Sequence, residues 1–308
     1  MTGSDVRGVT RAPSAQIWGP LVALWLIWGS TYLGISIMGR SLPPLMGNSL
    51  RFAAAGVVMA VIIGLAKGWR SLVVTRAQLR SMAIMGVMLL AVGIGTVALA
   101  ERYVPSGIVA LLVAVMPLWI IVFRVRAGER PAALTLAGVA LGMAGLAFMV
   151  MPGGTTPIAG SDTDVVVWSL AVLASSFCWA LFSWRSSRYD LPSSPLVVTA
   201  YEMLIAGAAL MLAGAAAGER LHPDLVSGQA WLACAYLALA SLAGYSAYMW
   251  LLGNAPLSLT STYAYVNPVV AVFLGWLVIG EAISRDVIVG LTVVVGGVAL
   301  VVTGERRR

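Results

Sequence analysis

Trp25, Trp28 and Tyr32 recur at i, i+3 and i+7 in one apolar stretch, which on a helix makes a stripe of two indoles ending in a phenol. Trp179 stands four residues from both Ser175 and Ser183, Tyr245 and Tyr248 are one turn apart, and Tyr263, Tyr265 and Asn267 crowd the approach to Pro268. Such side chains suit a pocket for a small polar molecule: rings give its carbon skeleton a surface, and hydroxyls and an amide partner its charged ends. Thr96, Met116 and Trp119 are further wall candidates, with Gly93 and Gly95 carving space and Met116 adaptable. For each ring the alternative is packing between helices, where buried Trp and Tyr also satisfy their N–H and O–H groups. Bond-making chemistry lacks its parts. His222 is the sole histidine, Cys178 and Cys234 both sit in apolar stretches, and no GxxxxGK[ST] loop occurs. No metal, cofactor, catalytic base or ATPase loop is therefore implied.

The elements that must carry these residues follow from composition. The chain has 308 residues, 60% of them hydrophobic and only 10% charged, with a mean hydropathy of +0.94. That excludes an ordinary soluble domain, where about a quarter of residues are charged. Segments of about twenty apolar residues, the length needed to cross a bilayer as a helix, run over 17–38, 42–66, 79–99, 104–124, 132–151, 165–184, 194–216, 229–251, 257–279 and 286–303. The expected fold is all-α and integral to the membrane, with ten transmembrane helices in contact with lipid. Arg7 and Arg11 precede the first span, which is read as retained because no A-x-A-like cleavage site interrupts it.

An even number of spans puts both termini on one side. That side holds fourteen of the 19 Lys and Arg residues and the opposite side four, with Arg51 inside a span. The excess places both termini in the cytoplasm of a multi-pass protein, and it accounts for the net charge of +7 without nucleic acid. Shifting the chain by about 151 residues lays Trp28 on Trp179, Pro44 on Pro195, Gly56 on Gly207 and Pro117 on Pro268. Each half has five spans, an odd number, so the repeat is inverted. The expected organisation is a cytoplasmic segment 1–16, repeats 17–151 and 165–303, a periplasmic linker 152–164 and a basic tail 304–308. Two inverted halves can open a shared midplane site first to one side and then to the other. A channel would need a continuous wet path, and an intramembrane enzyme would need a base near its nucleophile.

Two ions fall inside spans and correspond across the repeat: Arg51 in span two and Glu202 in span seven. Their depth permits an ion pair locking the halves, a substrate contact, or proton coupling at Glu202. Pro117 and Pro268 are expected hinges. Glu101, Arg102, Glu129 and Glu281 lie at span ends and are read as local caps and turns. Gly138 and Gly142 form a G-x-x-x-G pair on span five that could serve a homodimer or internal packing.

WGSTYLGI from Trp28, PPLMGNSLRF from Pro43, AERYVPSGIVALLVAVMPLW from Ala100 and STYAYVNPVVAVFLGWLVIGEAIS from Ser261 resemble the EamA family of the drug/metabolite transporter superfamily. EMLIAGAAL from Glu202 and GYSAYMWLL from Gly244 agree, and the likeness runs from span one to span ten. It implies a ten-helix bacterial inner-membrane carrier similar to the YddG-type exporters, moving amino acids or related metabolites outward, or else drugs or other metabolites. It also implies a cavity walled by spans one, three, four, six, eight and nine, with five and ten at the periphery.

Overall fold

The computed structural model describes residues 14–104, 109, 112–150, 160–274, 277 and 285–306, and among them every regular element is helical. The helices are α1 (Ser14–Met38), α2 (Pro44–Lys67), α3 (Arg76–Met85), a π-helix (Gly86–Ile94), α4 (Gly95–Ala100), α5 (Met116–Arg126) and α6 (Ala133–Val150). The rest are α7 (Asp162–Arg185), α8 (Pro195–Ala216), α9 (Gly228–Asn254), α10 (Leu257–Thr260), α11 (Tyr263–Leu274) and α12 (Arg285–Arg306). Six stretches are long and apolar enough to cross a membrane, the third being α3, the π-helix and α4 in series, and two shorter apolar helices lie within α6 and α12. The outer surface is apolar: Leu65, Leu212 and Leu232 are more than 70% exposed. Lipid tolerates that face and water does not, provided that backbone groups are paired within helices.

The chain punctuates its helices in ordinary ways. Thr75 with Gln78, and Ser161 with Asp164, form capping boxes at the starts of α3 and α7. Gly68 and Gly218 follow α2 and α8 with φ of 83° and 79°, a left-handed turn that glycine adopts without strain. The start of α2 is capped from across the bundle, where the Glu219 carboxylate accepts from the backbone N–H of Leu45 at 3.1 Å and of Met46 at 2.9 Å. Glu219→Ala should therefore cost about 1 kcal/mol, visible as a lower melting temperature in detergent, with Glu219→Gln in between.

Packing is reciprocal between the first and last groups of helices. α2 lies against α8 and α6 against α12; α1 meets α9 and α11, while α7 meets the π-helix with α4 and also meets α5. Each pairing has its counterpart when 14–150 and 162–306 are exchanged. Glycines make the crossings close. A Cβ on Gly138 would lie 2.6 Å from the Gly297 carbonyl oxygen, and one on Gly145 would lie 2.9 Å from that of Gly290. The Gly138/Gly142 pair is thus used inside the chain, against α12.

Three expectations about elements change. The third span is not a uniform α-helix, because its middle nine residues widen into a π-helix. Gly86 there abuts the backbone of Glu202 and Gly93 abuts Trp179, so close partners on both flanks accompany the wider turn. The fourth span breaks at a turn over Ala114–Val115, after which Pro117 sits in the first turn of α5. Pro268, by contrast, lies inside an unbroken α11, and the nearby break falls earlier, at Ser261–Thr262. Residues 151–159 of the linker, and Glu281, lie outside the described residues.

Candidate functional site

Two cavities open among these helices. The central one, about 90 Å³, has Trp28 and Tyr32 from α1, Arg51 from α2, Trp179 from α7, Tyr245 from α9 and Tyr263 and Asn267 from α11 on its wall, with Met116 from α5. The second, about 670 Å³, lies where α1 ends, α2 begins, α4 ends and α8 ends, and Asn48, Glu101, Arg102, Arg40 and Glu219 line it. Ile35 lines both, so it marks the neck between them.

The helix pattern explains the aromatic end of the central cavity. Trp28 meets Tyr263 edge-on at 4.7 Å and Trp179 edge-on at 5.8 Å between ring centroids. Tyr248 tilts against both indoles, and its oxygen accepts from Trp179 Nε1 at 2.8 Å while Ser183 bonds to the same hydroxyl. Tyr263 donates to Met116 Sδ at 3.0 Å, and Trp25 Nε1 donates to Thr262 Oγ1 at 3.1 Å. These contacts plug the bundle towards the end where α1 starts and α9 finishes.

Each indole sits in a glycine notch contributed by the other group of helices. A Cβ on Gly93 would lie 2.5 Å from Trp179 Cε3, and one on Gly244 would lie 2.5 Å from Trp28 Nε1. Trp28 and Trp179 correspond under the 151-residue shift, and so do Gly93 and Gly244.

Most hydroxyls on the wall are already committed. Thr31, Ser175 and Ser176 donate to the carbonyls of Trp28, Val172 and Leu173, three residues back on their own helices. The groups left open are few. Arg51 is 4% exposed, yet its Nε and Nη1 have no hydrogen-bond partner, and Asn267 Oδ1 is likewise unpartnered.

The expected Arg51–Glu202 ion pair does not form. Ser49, Ala53 and Gly56 are the face of α2 that meets α8, with Ser49 Oγ donating to the Gly207 carbonyl at 2.7 Å. Arg51 is two residues from Ser49 and so about 200° round the helix. Glu202 is displaced in the same way from Ala200 and Leu204, the α8 residues at the crossing. The Glu202 carboxylate instead accepts from the Tyr245 hydroxyl, and the Arg51 guanidinium lies 4.5 Å from the Phe52 ring centroid.

Tyr265, Trp119, Thr96, Ser183 and Tyr248 are not on the cavity wall. Tyr265 points the other way from α11, with Val139, Val294, Val298 and Val301 and over Gly142. Trp119 packs edge-on to Phe177. Ser183 and Tyr248 stand one layer behind Trp179. Glu129 is a local partner, 2.8 Å from Arg124 Nε, and Arg124 also reaches Ser258 across the bundle. Reasoning from the sequence missed Phe52, Ser241 and Thr31 on the wall and the buried, unpartnered Oε1 of Glu101.

The comparisons with known proteins agree with this architecture. The chain is 40% identical over 291 residues to the uncharacterized inner membrane transporter YedA of Escherichia coli K12, covering 94% of this chain and 91% of that one. It is 22% identical to the uncharacterized transporter YoaV of Bacillus subtilis, over 90% of this chain and 94% of YoaV. A crystal structure 22% identical in sequence superposes with a TM-score of 0.77, covering 96% of this chain and 99% of that chain. The family match occurs twice, over residues 17–151 and 166–303, and with it the chain belongs to the EamA-like transporter family and is a membrane transporter.

Proposed function

We propose that the protein is a secondary carrier of the YddG type, which moves amino acids or related small metabolites outward across the bacterial inner membrane. Ten spans form two inverted five-helix repeats, 17–151 and 165–303, joined by a periplasmic linker, and both termini are cytoplasmic. The basic residues concentrated beside 1–16, 67–80, 124–130 and 185–188 support that orientation, and the name of the YedA relative supports the membrane.

The single observation that carries the reading is the exchanged seating of Trp28 on Gly244 and Trp179 on Gly93. It joins the two repeats directly at the end of a central cavity, where a change in their relative tilt would unseat both rings. Alternating access needs such a junction, open on one side and plugged on the other. In this state the wide cavity faces the periplasm and the aromatic plug faces the cytoplasm. An Arg51 with open donors favours solutes with an anionic group over cationic drugs.

Purified protein in liposomes tests this. Saturable uptake from a mixed metabolite panel, accelerated by the same solute on the far side, is the expected result. Single-channel conductance in place of saturation would overturn it, and preferential uptake of cationic drugs would replace the substrate class.

A further inference from the structure

Two opposite charges line the adjoining cavities, Arg51 the central one and Glu101 the second, with Ile35 common to both walls. Arg51 enters from α2 with Nε and Nη1 unpartnered. Glu101 enters from the turn after α4 with Oε1 buried and unpartnered. They are near enough to act on one another electrostatically. Among the described residues, however, the only ion pair within 4.0 Å is that of Arg124 with Glu129. A buried guanidinium and a buried carboxylate oxygen, each lacking a hydrogen-bond partner, are costly unless something completes them.

We propose that Arg51 and Glu101 form a head-group clamp for zwitterionic α-amino acids. The substrate carboxylate takes the Arg51 fork, the ammonium takes Glu101 Oε1, and the side chain rests in the central cavity on Trp28 and Trp179. A planar guanidinium matches a carboxylate bidentately, and a carboxylate accepts readily from an ammonium. A ligand carrying both signs can complete both groups, whereas a simple acid or a simple amine leaves one of them unsatisfied. The clamp rests on the carrier reading above and narrows its substrate class.

Burial pushes the Glu101 carboxyl up to about 7, against the pull of the Arg51 guanidinium. Around it stand Arg51 and Asn48 of α2, Tyr32 of α1, and Arg40, Arg102 and Glu219 in the adjoining loops and turns. Above that pH the anion is present and holds the ammonium. As pH falls through it, Glu101 is protonated and amino-acid binding should weaken.

The test uses the full chain in liposomes with L-leucine, L-methionine, L-phenylalanine and L-threonine. For the best carried of these, the amine left by removing the carboxylate and the acid left by removing the ammonium are also assayed. At least about a tenfold higher half-saturating concentration is expected for each truncated analogue. Arg51→Met and Glu101→Gln should each raise the amino-acid value by a similar factor, Glu101→Gln less for the acid analogue than for the amino acid. Arg51→Lys should fall between, and melting in detergent identifies any variant that fails to fold.

Uptake of an amino acid with half-saturation unchanged in Arg51→Lys and Glu101→Gln would overturn the clamp and leave the carrier. So would a wild type that carries the amine equally well, or that carries other solutes but none of the four amino acids. Loss of saturation for every solute, with conductance in its place, would overturn the carrier itself.

Discussion

Gly297→Val is expected to destabilise the protein by about 3 kcal/mol or more, and Gly138→Val by a similar amount. At this crossing backbone faces backbone: a Cβ on Gly297 would lie 2.6 Å from the Gly142 nitrogen and 2.7 Å from the Gly138 oxygen, and one on Gly138 would lie 2.6 Å from the Val301 nitrogen. A flexible side chain can turn aside, but main chain moves only if α6 and α12 separate along their length. Small residues are what allow membrane helices to pack this closely, since lipid tails offer no hydrophobic incentive to associate. Thermal melting in detergent measures the effect. Gly296→Ala, one residue along, is the control, because its Cβ would meet only Leu141 Cδ2 at an ordinary 3.7 Å. Equal melting of Gly297→Val and wild type would show that the crossing is looser than described.

The second large effect is expected at Trp179→Ala. This indole is 7% exposed, packs against Trp28 and Tyr248, fills the Gly93 notch and donates to the Tyr248 hydroxyl. Truncating a large buried aromatic costs about 3–5 kcal/mol, and here it also removes one of the two plugs. Uptake by the reconstituted variant should fall at least about tenfold, or become an unselective leak, while Leu212→Ala on the lipid face, where the side chain is 73% exposed, should change neither stability nor uptake. Wild-type uptake by Trp179→Ala would remove the ring from the working site.

Much of the cavity wall was legible in the residues. Helix spacing selects Trp28, Tyr245, Tyr263 and Asn267, and the repeat adds Trp179 as the counterpart of Trp28, although the same spacing also selects Tyr248, which stands behind the wall. Tyr265 could not be sorted in this way. It is two residues from both Tyr263 and Asn267, so it lies about 200° round α11 from them, but proximity in sequence had grouped the three. Glu101 was read as part of a local cap or turn, since charges at span ends usually stay solvated or pair nearby. Its Oε1 is nevertheless buried without a partner, and nothing local signals it. The π-helix was hidden for the same reason, being bracketed by close neighbours on α7 and α8 that a single segment does not reveal.

The aligned charges of Arg51 and Glu202 illustrate the limit of depth as a guide. Both sit near the middle of crossing helices, and the repeat assigns them to each other. Azimuth decides otherwise: each is turned away from the crossing, Arg51 towards the cavity and Glu202 towards Tyr245. Internal symmetry relates equivalent positions without requiring that they touch.

Thr31, Ser175 and Ser176 give their protons to carbonyls of their own helices, which removes three hydroxyls of the central cavity from any contact with a solute through their own protons. Hydroxyls spent on their own helices neither attract nor anchor what enters, so discrimination among solutes falls to the few wall groups with spare valence, Arg51 and Asn267.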